Sequence, residues 1–128
     1  MTRRNYLKAV LAPGAGAASM RAAGPERPIR LDVDLAVDAA KEMLHNFATI
    51  FRPAAVKHRG YIDVKMLKLR SALQGDVPAG VNYRFLLTYQ SEELRQKWVA
   101  SAVHKKVWPT IENTLTSKNY TVLLFDVV

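Results

Sequence analysis

The sequence predicts an α+β domain of β-α-β-β-α-β order, a four-stranded antiparallel sheet with helices on one face. Three observations carry this. Ile29 to Leu35 and Tyr83 to Tyr89 place apolar residues at every second position, the period of a half-buried strand. After each of them apolar residues recur at three- and four-residue spacing, as on one face of a helix. The 128 residues are 49% apolar and 23% charged, the composition of one globular domain with a single core, which excludes a wholly disordered chain.

Strand one comes from Ile29, Leu31, Val33 and Leu35, which alternate with Arg30, Asp32 and Asp34. Asp38 is placed to cap the next segment, where Met43, Leu44, Phe47, Ile50 and Phe51 mark an amphipathic helix from about Ala39 to Arg52. Pro53 begins a new turn or bends this helix, and Gly60 closes it. Strand two runs from Tyr61 to Arg70, with Ile62, Val64 and Met66 on one side and Leu67 and Leu69 on the other. Gly75, Pro78 and Gly80 make a loop to strand three, Val81 to Gln90, where Tyr83, Phe85, Leu87 and Tyr89 share a face. Ser91 caps the second helical region, Glu92 and Glu93 suit its positive end, and Leu94, Trp98 and Ala102 continue its stripe. The stripe shifts phase between Ser101 and His104 and resumes at Val107, Trp108, Ile111 and Leu115, so a break is expected there. Strand four runs from Tyr120 to Val127 and completes the ferredoxin-like order.

The domain is expected over 28–128. Before it, Thr2-Arg3-Arg4-Asn5-Tyr6-Leu7-Lys8 opens a basic start followed by small and apolar residues, with Ala15-Gly16-Ala17 as a cleavage-like triplet. The Arg-Arg pair, the aromatic residue and the leucine resemble the twin-arginine export signal. That resemblance implies that 1–24 is a signal peptide and that the protein works in a periplasm-like compartment; a basic tail is the other reading. The apolar run Ala9 to Met20 is broken by Pro13, Gly14 and Gly16 and is too short to cross a bilayer, so no membrane span is expected.

Phe85-Leu86-Leu87, Met66-Leu67 and Val122-Leu123-Leu124-Phe125 put apolar side chains on both faces of the sheet, and two helices can cover only one; scattered surface apolar residues at Leu86 and Leu123 are the plainer reading. A large bare apolar patch is uncommon in a soluble monomer, so the expected cover is a second copy of the sheet, a homodimer through the open face. Arg84 and Asn82 fall on that side of strand three and are expected at the seam between subunits.

The second half of the chain resembles the dimeric α+β barrel superfamily, in particular its stress-responsive A/B barrel and antibiotic biosynthesis monooxygenase families. The residues that carry this are Tyr83 to Tyr89, Ser91-Glu92-Glu93-Leu94, Trp98, His104, Pro109 and Val122 to Asp126, with Arg52-Pro53 and Gly60 to Val64 closer to the monooxygenases. The resemblance implies a dimeric barrel that binds a small apolar or aromatic molecule. It also implies a cofactor-independent monooxygenase acting on an aromatic or polyketide-like substrate, or alternatively a noncatalytic stress-responsive ligand-binding protein. No cofactor is expected.

His104 is the candidate catalytic residue, because imidazole titrates near neutrality and a helix break can present it to a cavity. A structural hydrogen bond at the break is the plainer reading. The resemblance implies an acid/base histidine six residues after a tyrosine, and Trp98 stands in the tyrosine's place. Trp98, Trp108, Tyr83, Phe85, Tyr89 and Phe47 are candidates to line the cleft, with core packing as their other reading; Tyr83 and Tyr89 are expected to expose a hydroxyl. His45 and His58 read as exposed helix and loop residues.

The net charge of +8 is dispersed, with Lys105-Lys106 the one basic doublet after the leader, so no nucleic-acid partner is expected. Strand three also departs from the aromatic signature of an RNA-binding sheet at Arg84 and Thr88. Three histidines without ligand spacing, and no cysteine, give no metal site. Trp98 and His104 loosely resemble the pair in haem-degrading relatives, but strand one offers Asp32 and Asp34 where those have asparagine.

Overall fold

The computed structural model describes residues 27–128, so the expected export segment lies outside the described residues. Strand β1 (Ile29–Leu35) leads into α1 (Ala40–Asn46), a π-helical turn (Phe47–Phe51) and α2 (Arg52–Ala55). Strands β2 (Tyr61–Lys68) and β3 (Tyr83–Tyr89) follow, then α3 (Glu92–Ala100), α4 (Ala102–Val107), α5 (Pro109–Glu112) and β4 (Thr121–Asp126). The strands lie in the order β2-β3-β1-β4 with every neighbour antiparallel, the ferredoxin-like α+β fold that the periodicities predict.

Central strands β1 and β3 pair with Val33 across from Phe85 and Leu35 across from Tyr83, and all four are buried under the helices. Strand β2 departs from its expected alternation. A bulge between Tyr61 and Asp63 takes Ile62 out of register, so Tyr61, Val64 and Met66 face the helices and Ile62 is exposed.

The first helix is not capped by Asp38. Its preceding backbone N–H groups, of Asp38 and Ala39, donate instead to the Thr114 carbonyl at 3.0 and 3.2 Å, docking the start of α1 on the end of α5. Nor is it one α-helix to Arg52. Pro53 has no N–H to continue the ladder, and the turn before it widens so that the Arg52 N–H reaches back five residues to Phe47. The widened turn ends on Phe51, which is 1% exposed.

The second helical region breaks where the stripe shifts phase. Ser101 is extended, and its hydroxyl donates to the Trp98 carbonyl at 2.6 Å while accepting the His104 N–H at 3.1 Å. One side chain therefore ends α3 and caps α4. Ser91 caps α3 as predicted, accepting the Leu94 N–H.

Asn82, expected at a subunit seam, is spent within the chain. Its amide accepts from the Val37 N–H at 2.7 Å and donates to the Val37 carbonyl at 3.0 Å. Arg84 does lie on the open sheet face, where its guanidinium grips Asp34. That face is mixed rather than uniformly apolar. Its cross-strand rows read Asp63–Thr88–Arg30–Phe125, Lys65–Leu86–Asp32–Leu123 and Leu67–Arg84–Asp34–Thr121, with ion pairs Arg30–Asp32 and Lys65–Asp63 beside Arg84–Asp34.

Gly60 joins the helical layer to β2. Its φ is +98°, and a Cβ there would stand 2.6 Å from the Cβ of Leu94. Gly60→Ala is expected to cost about 2–4 kcal/mol, strain and overlap together, in urea unfolding. A loss below about 1 kcal/mol would contradict the tight contact with α3.

Candidate functional site

Between the helical layer and the sheet lies a cavity of about 200 Å³. Its floor is Leu31, Val33, Phe85 and Leu87 from the sheet, and Phe51, Trp108 and Tyr120 wall it. Val99 and Val122, both solvent-accessible, stand where it opens. His104 enters from the first turn of α4, where the Ser101 cap fixes its backbone.

The rings around His104 pack edge to face and offset, as their quadrupoles favour. Phe51 touches four of them: Phe85 at 5.0 Å, Trp108 at 6.2 Å, Trp98 at 6.3 Å and His104 at 6.4 Å between centroids. Trp98 stands nearly perpendicular to His104 at 5.3 Å, and Trp108 is nearly parallel to it at 6.4 Å.

Burial lowers the His104 pKa from its ordinary 6.5, and the positive charge that His58 can carry lowers it further. No hydrogen-bond partner for its ring is found among the described residues, so the imidazole is neutral near pH 7 and its lone pair is free. Near it, the Trp108 indole donates to the Tyr120 hydroxyl at 3.2 Å, which donates to Glu112 at 2.8 Å. Burial and that carboxylate both raise the Tyr120 pKa, so its phenol stays protonated.

Of the residues singled out from sequence, His104, Trp108, Phe85 and Tyr89 line this cavity. Trp98 does not; it is 4% exposed and stands behind His104, between the cavity and the outer surface of α3. Phe47 packs on Phe85 from outside the lining, at 5.7 Å. Tyr83 lies away from it, beside Lys68 and Arg84. Neither Tyr83 nor Tyr89 exposes a free hydroxyl; they are 4% and 2% exposed, and burial raises the Tyr89 pKa.

Sequence reasoning missed Tyr120, which reads as the first residue of a strand, and Phe51, which reads as core. His58 does lie in a loop, as expected, but it is not exposed. The imidazole of His58 is half-buried and stacks on Trp98 at 4.4 Å with 13° between the planes, and burial lowers its pKa. Among the described residues there is no cluster of acidic, histidine or cysteine side chains suited to a metal ion, and no helix is long and apolar enough to cross a membrane.

No protein-family model and no curated protein sequence matches the chain. Solved structures do. A candidate antibiotic biosynthesis monooxygenase from Bordetella bronchiseptica superposes over 80% of this chain and 99% of its own, with a TM-score of 0.64 and 13% identity. A cofactor-independent oxygenase from Streptomyces nogalater covers 82% of this chain and 95% of its own, at 0.59 and 12%. A dimeric ferredoxin-like protein of unknown function from Jannaschia covers 79% and 98%, at 0.61 and 16%. At such identities the likeness is one of fold.

Proposed function

We propose that the protein is a homodimeric α+β barrel that binds a small aromatic molecule beside His104 and oxygenates it without a cofactor. The observation that carries this reading is the cavity itself: a largely apolar, aromatic-walled chamber holding one partly buried imidazole, His104, whose ring has no hydrogen-bond partner among the described residues. Its volume of about 200 Å³ takes one or two fused rings, and a third would project through the mouth at Val99 and Val122. His104 removes a proton from an activated ring carbon or its phenol, leaving an electron-rich anion that dioxygen can oxidise. The net change is CH₂ + O₂ → C=O + H₂O: one oxygen atom is retained and the other leaves as water. Phe51, Phe85 and Trp108 orient the ring, and exclusion of water protects the anion. The fold shared with a cofactor-independent oxygenase supports this reading.

The open face supports the dimer. On β4, Leu123 and Phe125 are close to half exposed on that face, and Val122 and Leu124 are so on the helix side. A second copy would cover the apolar members of each mixed row and enclose the Asp34–Arg84 and Asp32–Arg30 pairs. The start Thr2-Arg3-Arg4 supports export of the folded protein.

Oxygen uptake with hydroxylated aromatics, dithranol included, is expected to exceed the rate in buffer, and His104→Ala to lower kcat by about 100-fold or more. Because the His104 pKa lies below 6.5, the rate should be flat near pH 7.5 and fall as the pH drops below 6.5. Uptake no faster than in buffer, with ligand binding intact and His104→Ala without effect, would leave the noncatalytic ligand-binding alternative.

Sedimentation at micromolar concentration should show a dimer for the native chain and single subunits for Leu123→Asp/Phe125→Asp. Single subunits in the native protein would remove the barrel.

A further inference from the structure

A second concavity lies outside this chamber. It lies on the outer side of the helical layer, between the turn that joins α2 to β2 and the elbow of α3 and α4, and measures about 460 Å³. Ala54, Leu94, Val103 and the edge of Trp98 make its floor apolar. The stacked imidazole of His58 forms one flat wall. The contact of Gly60 with Leu94 holds the turn against α3, so the groove is framed by packed backbone.

Its charge is one-sided. Lys57, Arg59 and Lys97 line it, and no carboxylate does. Among the described residues neither Lys57 nor Arg59 has an ion-pair partner. Lys97 meets Glu93 at 3.4 Å, but both are largely exposed, so that pair holds its charge weakly. An apolar floor, a flat ring wall and uncompensated cations at the rim complement a ligand with an apolar planar body and one negative head.

We propose that this groove is a second ligand site, separate from the His104 cavity, that takes a small aromatic carboxylate. The ring lies against Leu94, Val103 and His58, and the carboxylate is held by Lys57 and Arg59. The site does not rest on oxygenase activity, since none of the residues that line the inner cavity lines the groove.

The two tryptophans of the chain report on the two cavities separately, because Trp98 borders the groove and Trp108 lines the inner chamber. The probe is 2-naphthoate, titrated into ¹⁵N-labelled full-length protein, with neutral 2-naphthol as control. The expected result is a saturable shift of the Trp98 indole N–H signal with that of Trp108 unmoved, and weaker binding of 2-naphthol. The exposed double substitution Lys57→Glu/Arg59→Glu should weaken naphthoate binding by about tenfold or more, near 1.4 kcal/mol, while leaving the spectrum of a folded protein. A shift at Trp108 alone, equal affinity in the double variant, or no saturable shift at millimolar naphthoate would each overturn the proposal.

Discussion

Phe51 is the residue on which the helical layer closes. It is buried against four aromatic rings: Phe85 on the sheet, Trp98 on α3, His104 on α4 and Trp108 at the end of α4. It reaches them because Pro53 interrupts the hydrogen-bond ladder and the preceding turn widens. Truncating a buried phenylalanine costs about 3–5 kcal/mol, a large share of the roughly 5–15 kcal/mol that keeps a domain folded. The answering interruption is Ser101, whose hydroxyl joins Trp98 to His104. A proline in one helix and a serine in the other thus bring the same rings together from two sides.

The sheet divides the chemistry of the molecule. On the helix side, burial governs ionisation: His104 is held neutral and the Tyr89 and Tyr120 phenols stay protonated. On the open side, charge is answered by charge, with Asp34 gripped by Arg84 and Asp32 by Arg30, and both carboxylates are only 12% exposed. Such pairs favour a specified partner over indiscriminate apolar association, because covering them wrongly would strand a desolvated charge. Glu92, by contrast, is held to about 2 by Arg95 and Gln96 at the exposed start of α3, where it complements the helix dipole.

Much of this architecture is legible in the sequence, and the reasons are local. Alternation in Ile29 to Leu35 and Tyr83 to Tyr89 survives because both strands are central, where register is set by one dry face. The break at Ser101 is legible because an apolar stripe that changes phase cannot stay on one straight helix. The bulge at Ile62 is not legible, since an edge strand tolerates an extra residue without a sequence mark. The π turn is hidden for a related reason: Pro53 announces an interruption but not whether the chain kinks or widens. Site residues are harder still. Aromatic residues that line a cavity and those that back it share the same spacing, so Trp108 and Phe85 could not be told from Trp98 and Phe47 before the packing was seen. His58 lies in a turn, and only the fold brings it onto Trp98.

The ring cluster seated by Phe51 desolvates His104 enough to keep it a neutral base. An NMR titration of the His104 imidazole decides this. A midpoint below 6.5 that moves back toward 6.5 when Phe51→Ala opens the cluster is the predicted result. A midpoint at or above 6.5 in the native protein would contradict it.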